Sequence, residues 1–223
     1  MVERRVHGPD TPPVEAPIEA VVFDVGGVLI DWNPRHLYRK LIDDAGEMER
    51  FLAEVCTQDW NEQADAGHST AAITADLCAR HPDSRALIES YYARFDEMMA
   101  GALDDTVALV ERLHAENVPL YVLSNFSAET FPLAQRRFDF FQRFSGMVIS
   151  GAEGLKKPDR RIYDLLTERF ALAPARTLFI DDRRDNTEAA RAAGWQALQF
   201  ISAEQLSGDL RALGLLPAAT AVA

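Results

Sequence analysis

Apolar residues along this chain follow two different spacings, and the change from one to the other organises the sequence. Ala20 to Phe23 is an unbroken apolar run that ends at Asp24 and is followed by Gly26-Gly27. That pattern predicts a strand buried on both faces and stopped by a tight loop. From Pro34 to about Ala100 no comparable run occurs. Leu37, Leu41, Phe51, Val55, Ile73, Leu77, Leu87, Tyr91 and Phe95 instead recur at helical spacings, which predicts a small helical segment. After Gly101 the alternation returns. The pattern predicts helices over Leu103 to Glu116, Ala128 to Arg137, Arg160 to Phe170, Asn186 to Ala193 and Ala203 to Leu213. Between them it predicts strands over Val118 to Leu123, Met147 to Ile149, Thr177 to Ile180 and Ala197 to Phe200. Asp104 and Asp105 suit the positive end of the first of these helices, and Gly194 suits the end of the fourth.

Strands without polar alternation, separated by helices, imply an α/β chain. Its five-stranded sheet is parallel, with helices on both faces. Ligands of such sheets bind at the carboxyl ends of the strands. Polar groups collect there: Asp24 after the first strand, Ser124-Asn125 after the second, Asp181-Asp182 after the fourth. The expected division is a core over 18–34 and 102–215 with a helical unit over 35–101 inserted after the first strand. Flexible tails are expected at 1–17 and 216–223.

The formal net charge of −12 argues against binding a nucleic-acid backbone and against docking on anionic lipid. It does not oppose an anionic substrate, because the local field of a cleft can differ from the global charge. Cys56 and Cys78 form no ligand or redox motif and read as two buried reduced thiols. No signal-peptide core occurs in residues 1–17, and no stretch is long and apolar enough to span a membrane. These features point to a cytoplasmic protein. Nothing marks an interface, so monomer and homodimer both stay open.

Each polar signal has an ordinary structural reading beside a chemical one. Asp24 can be a strand-end turn residue, or a carboxylate held at the rim while Gly26 and Gly27 let the backbone approach a ligand. N–H groups of that turn can face an anion. Asp181-Asp182 can include a helix cap, but two adjacent carboxylates repel and lose hydration, and a hard cation relieves both effects. Ser124-Asn125 is a common turn pair that also suits phosphate oxygens. Lys157 can be surface decoration, or an ammonium fixed by Pro158 to offset charge on a phosphoryl group.

Together these residues resemble the four motifs of the haloacid dehalogenase superfamily. Phe23-Asp24-Val25-Gly26-Gly27-Val28-Leu29 is similar to the first motif and Leu123-Ser124-Asn125 to the second. Lys157-Pro158-Asp159 is similar to the third. Phe179-Ile180-Asp181-Asp182, with Asn186, is similar to the fourth. The resemblance spans about residues 19 to 201. It implies a Rossmann-like core with a helical cap, a Mg²⁺ cofactor and a small phosphorylated substrate, with a sugar phosphate among the candidates. By the same resemblance Asp24 is the nucleophile that forms an aspartyl phosphate. Asp24, the Gly26 carbonyl and Asp182 hold the metal, which Asp181 shares or supports. Ser124 and the Asn125 backbone bind phosphate oxygens, and Lys157 neutralises charge.

One position departs from that pattern. Phosphatases of the superfamily mostly carry a second Asp, the general acid and base, two positions after the nucleophile; here that position is Gly26. Three explanations stand open: a leaving group that needs no proton, a donor from the helical segment with Asp65 and His68 as candidates, or weak or absent catalysis. Trp60, in the polar stretch Gln58 to His68, is a candidate to stack on a sugar ring or to pack between helices. Trp32 and Asn33-Pro34 stand where the chain leaves the core, suited to a hinge and a pocket wall together. Arg183 and Arg184 suit a second anionic group or an exposed helix start. The competing functions are a 2-haloacid dehalogenase, which uses an Asp nucleophile without metal, and a non-catalytic binding protein that keeps the fold. A serine hydrolase is disfavoured, since no GxSxG elbow occurs.

Overall fold

The computed structural model describes residues 16–218. Its main sheet has five parallel strands: β1 (Ala20–Phe23), β4 (Leu120–Ser124), β5 (Gly146–Ile149), β6 (Thr177–Asp181) and β7 (Gln196–Gln199). Their order is β5-β4-β1-β6-β7. The strand carrying Asp24 is therefore central. Its register places Phe23 opposite Val122 on one side and Ile180 on the other, so Asp24, Ser124 and Asp181 reach the same edge.

Two antiparallel strands lie apart from this sheet: β2 (Ile30–Trp32) and β3 (Met99–Ala102). The sequence pattern does not predict them. They are three and four residues long, with Asp31 and Gly101 facing each other, too short and mixed to register as apolar runs. They form a stem where the chain leaves and rejoins the sheet. Between them run α1 (Arg35–Tyr38), α2 (Ala45–Glu54), α3 (Gln58–Asp65), α4 (Thr70–Arg80) and α5 (Arg85–Ala93). After β3 follow α6 (Asp104–Ala115), α7 (Phe131–Arg137), α8 (Ser150–Glu153), α9 (Arg160–Arg169), α10 (Arg184–Ala192) and α11 (Ala203–Ala212).

Alternate residues of the central strand feed opposite faces. Val21 and Phe23 join a cluster with Leu109, Leu113, Leu206 and Leu210 of α6 and α11. Val22 joins a second cluster with Ile162, Tyr163 and Leu166 of α9 and Ala190 of α10. A sheet covered on both faces loses its solvent alternation, which is why these strands read as continuous apolar runs. The α2 helix is capped by the Asp44 carboxylate, which accepts from Glu47 N at 2.8 Å, and α3 by Thr57, which accepts from Trp60 N at 3.1 Å.

Of the expected tails, residues 1–15 and 219–223 lie outside the described residues. Leu216 corrects the expected boundary: it is buried against the first cluster, because Leu213 and Leu215 carry the chain back over the core after α11. Among the described residues no helix is long and apolar enough to cross a membrane.

Candidate active site

The three strand ends converge on one buried cluster. Lys157 Nζ lies 2.9 Å from Asp24 Oδ1 and 2.6 Å from Asp181 Oδ2, with the lysine side chain fully buried. Ser124 Oγ donates to Asp24 Oδ1 at 2.8 Å, and Val25 N donates to the same oxygen at 2.7 Å. Asp24 is thus fixed by a hydroxyl, an amide and an ammonium, all on Oδ1. Burial raises the Asp24 carboxyl above its usual range, Lys157 opposes this, and Asp181 adds to it. Burial disfavours the Lys157 ammonium, but the two carboxylates outweigh that and hold its pKa above the ordinary value. Two carboxylates with one ammonium leave a net negative charge in a desolvated place, a site that favours a further cation.

Asp181 is saturated by protein donors. Arg183 N reaches Oδ1 at 2.8 Å, and the Asn186 amide lies 3.1 Å from both oxygens. Its part in this cluster is to hold Lys157. Asp182 is exposed to the cavity, and burial together with Asp181 raises its carboxyl. One carboxylate oxygen from each of Asp24, Asp181 and Asp182 lies within 4.8 Å of the others; with Asp181 held by protein donors, Asp24 and Asp182 are the carboxylates left to an ion, and oxygen donors of this kind suit magnesium. Two further features fit that ion. Asn186 Oδ1 is a buried acceptor with no partner. Gly27, at φ +73°, leaves open the space that Asp182 needs, since a Cβ there would stand 2.7 Å from Asp182 Oδ2.

The structure assigns some of the sequence candidates differently. The Gly27 N–H, expected to face an anion, donates to Ile30 O at 3.0 Å and closes the turn instead. The Asn125 side chain does not offer its amide to a ligand. It clamps the backbone of Lys157, donating to its carbonyl at 2.9 Å and accepting from its N–H at 2.8 Å. That clamp, across 32 residues, aims the lysine beside a cis Lys157–Pro158 bond. Trp60 is a correction. It is 3% exposed, its indole donates to Ile73 O at 3.1 Å, and its ring packs on Tyr91 and Tyr92. It belongs to the core of the helical segment because the inward face of α3 presents it there, and it is no sugar platform. His68 is exposed and outside the cavity wall.

A cavity of about 490 Å³ opens on Asp24, Asp182, Lys157 and Asn125. Its lining also includes Trp32, Leu52, Cys56, Tyr91, Phe95 and Phe126, an apolar surface drawn from the stem, the helical segment and the loop after β4. The sequence pattern does not mark Leu52 or Phe126 as wall residues, since a cavity lining has the same apolar signature as a core. Cys56 and Cys78 are free and buried; burial pushes the Cys56 thiol up to about 12, which disfavours a thiolate nucleophile. From α3 the wall receives Gln58, Asn61, Glu62 and Asp65. Asp65 is buried, and desolvation, joined by Glu62, pushes its carboxyl up to about 7.

Comparison with known proteins agrees with this architecture. Residues 18–194 match the family described as haloacid dehalogenase-like hydrolase. A curated relative, the sesquiterpene phosphatase astK of Aspergillus oryzae, is 27% identical over 199 residues, covering 87% of this chain and 96% of that protein. Among solved structures, a HAD family enzyme of Bacteroides thetaiotaomicron in a magnesium complex superposes with a TM-score of 0.69. It is 19% identical, covering 88% of this chain and all of the other. A solved dehalogenase superposes with a TM-score of 0.68 at 18% identity, covering 86% of this chain and 97% of the other.

Proposed function

The chain belongs to the haloacid dehalogenase-like hydrolases, and from that premise we propose that it is a Mg²⁺-dependent phosphate monoester hydrolase. Asp24 is the nucleophile and an aspartyl phosphate is the intermediate. Family and fold alone do not separate this chemistry from dehalogenation, since a protein named as a phosphatase and a solved dehalogenase are both similar to this chain. The observation that carries the reading is the acidic cluster beside Lys157. A carbon–halogen substrate needs no metal, whereas three carboxylates converging within 4.8 Å are costly without one.

In this mechanism Asp24 Oδ1 is oriented by Ser124, Val25 N and Lys157, which leaves Oδ2 for attack or for the metal. Lys157, held by Asn125 and Asp181, offsets charge on the phosphoryl oxygens as they approach Asp24. Asp24, Asp182 and the Gly26 carbonyl would hold Mg²⁺, with Asp181 supporting the set; the ion supplies charge neutralisation that lets two anions meet. Residues 35–101 act as a cap over the sheet edge. The substrate's phosphate faces Asp24, and its remaining body lies on the apolar wall of Trp32, Leu52, Tyr91, Phe95 and Phe126. With Trp60 absent from that wall, an apolar body is better supported than a sugar, and the relative named for a sesquiterpene substrate points the same way.

The test is hydrolysis of p-nitrophenyl phosphate with Mg²⁺ and with EDTA, in wild type and in Asp24→Asn. Turnover should require the metal and fall by more than about 10³-fold in the variant. Metal-independent turnover, or a variant that keeps its rate, contradicts the reading.

A further inference from the structure

Gly26 stands where a general acid is expected, so a proton donor has to come from elsewhere in the cavity. Three carboxylates line it outside the Asp24–Asp181–Asp182 cluster: Glu49, Glu62 and Asp65. Arg35 holds Glu49 through two hydrogen bonds of 2.7 and 2.5 Å. Lys156 and Arg183 hold Glu62. Ion-paired carboxylates stay ionised and are poor acids at neutral pH. Asp65 is the one of the three that forms no salt bridge, although Lys156 and Lys157 lie near enough to act on it. Its side-chain contact is the Asn61 amide at 3.4 Å, and Asn61 in turn accepts from the Tyr92 hydroxyl at 3.1 Å.

We propose that Asp65 is the proton donor and acceptor that Gly26 does not supply, a catalytic residue delivered to the reacting phosphate by α3. The inference rests on the phosphatase reading. Asp65 is 8% exposed and faces the cavity shared with Asp24. The groups acting on it are Glu62 on its own helix, Lys156 and Lys157 on the loop before α9, and Asp24 on the sheet. With burial first among the causes, they leave its carboxyl at about 7, where it can both give and take a proton.

Glu62 fixes the register. It lies one turn before Asp65 on α3, and its partners Lys156 and Arg183 are the immediate neighbours of Lys157 and Asp182. The helix carrying the donor is therefore pinned to both halves of the charged cluster.

In the first step an Asp24 oxygen bonds to phosphorus, the bond from phosphorus to the ester oxygen breaks, and the Asp65 proton passes to that oxygen, releasing an alcohol. In the second step a water oxygen bonds to phosphorus and gives a proton to the Asp65 carboxylate. The bond from phosphorus to Asp24 breaks, returning both carboxyl groups to their starting forms and releasing inorganic phosphate.

The experiment measures kcat/KM with Mg²⁺ for p-nitrophenyl, phenyl and simple alkyl phosphates between pH 5 and 9. It uses wild type, Asp65→Asn and the double variant Gly26→Asp with Asp65→Asn. Because kcat/KM reports events up to formation of the aspartyl phosphate, it isolates the proton donation. Asp65→Asn should lose about 10²–10⁴-fold with alkyl phosphates, with the loss shrinking as the leaving group improves and the alkaline limb of the profile moving. The Gly26→Asp change should restore alkyl phosphate turnover, because no atom lies within 4 Å of a Cβ at that position; such rescue also shows that Asp65→Asn is folded. A loss of the same factor for every leaving group, with an unmoved pH profile, overturns the proposal and leaves the phosphatase reading standing. No phosphate turnover by wild type overturns both.

Discussion

Asp24 gains its chemistry from partners that are far away in sequence and close in space. Ser124 and Lys157 both reach its Oδ1, within 2.8 and 2.9 Å. Removing Lys157 leaves two buried carboxylates uncompensated, so Lys157→Met should destabilise the fold by about 3–5 kcal/mol at neutral pH, measured by denaturant unfolding. Gly27→Ala imposes a side chain at φ +73° and pushes on Asp182. It should cost about 1–2 kcal/mol and weaken the thermal response to Mg²⁺. For Asp65 the sign of the pH effect follows from a folded pKa of about 7 against an ordinary 3.8. Its contribution to stability is fully present below about 3.8 and is lost as pH rises through 7. Asp65→Asn should therefore gain roughly 2–3 kcal/mol relative to wild type between pH 5 and pH 8. A difference independent of pH contradicts the shift. At this scale the convergence of Asp24, Lys157 and Asp182 was legible because each follows a strand or precedes a helix in a recognisable motif. The clamp made by Asn125 was not, because a turn-forming Asn and a bidentate one look alike until the loop carrying Lys157 is placed opposite.

The elements divide by how much their sequence signal depends on distant packing. The parallel strands are short, mainly apolar runs between turn residues, β7 with its two flanking glutamines being the weakest, and their positions follow from pattern alone to within a residue or two. The stem of β2 and β3 escapes that reading because each strand is stabilised by the other and is too short to show a period. Trp60 escapes it differently. Its neighbours in sequence are polar, which suggests exposure, but one face of α3 points inward and puts the indole against Tyr91 at 5.0 Å between ring centroids. The same helix turns Glu62 and Asp65 toward the sheet edge. Glu62→Gln should remove the ties to Lys156 and Arg183. These partners are more than a third exposed, so the global stability loss should stay under about 1 kcal/mol. Hydrogen exchange over residues 58–65 should nevertheless quicken. Unchanged protection there would show that α3 is held by packing alone.

For the molecule as a whole, the sheet edge carries the Asp24–Lys157 cluster, and the helical segment and the loop after β4 together line the cavity above it. Neither makes the cavity alone. Phe126 from the loop after β4 meets Phe95 at 5.7 Å, and Glu129 from the same loop holds Thr70 at the start of α4. The family and the parallel sheet were legible from four motifs in order. The body of the substrate was not, because the apolar side chains that line the cavity have the sequence signature of any core. Asp24, Asp181 and Asp182 meet beside one buried ammonium, Lys157, an arrangement that a divalent cation would stabilise. Millimolar Mg²⁺ should raise the unfolding temperature, and Asp182→Asn should abolish that rise. The central claim is covalent catalysis by Asp24. Its most direct test is an acid-quenched single turnover of p-nitrophenyl phosphate with Mg²⁺, followed by peptide mass spectrometry. The account expects one phosphoryl group on the peptide containing Asp24, absent in Asp24→Asn. Turnover that leaves Asp24 unmodified, or that places the phosphoryl group on another residue, would contradict it.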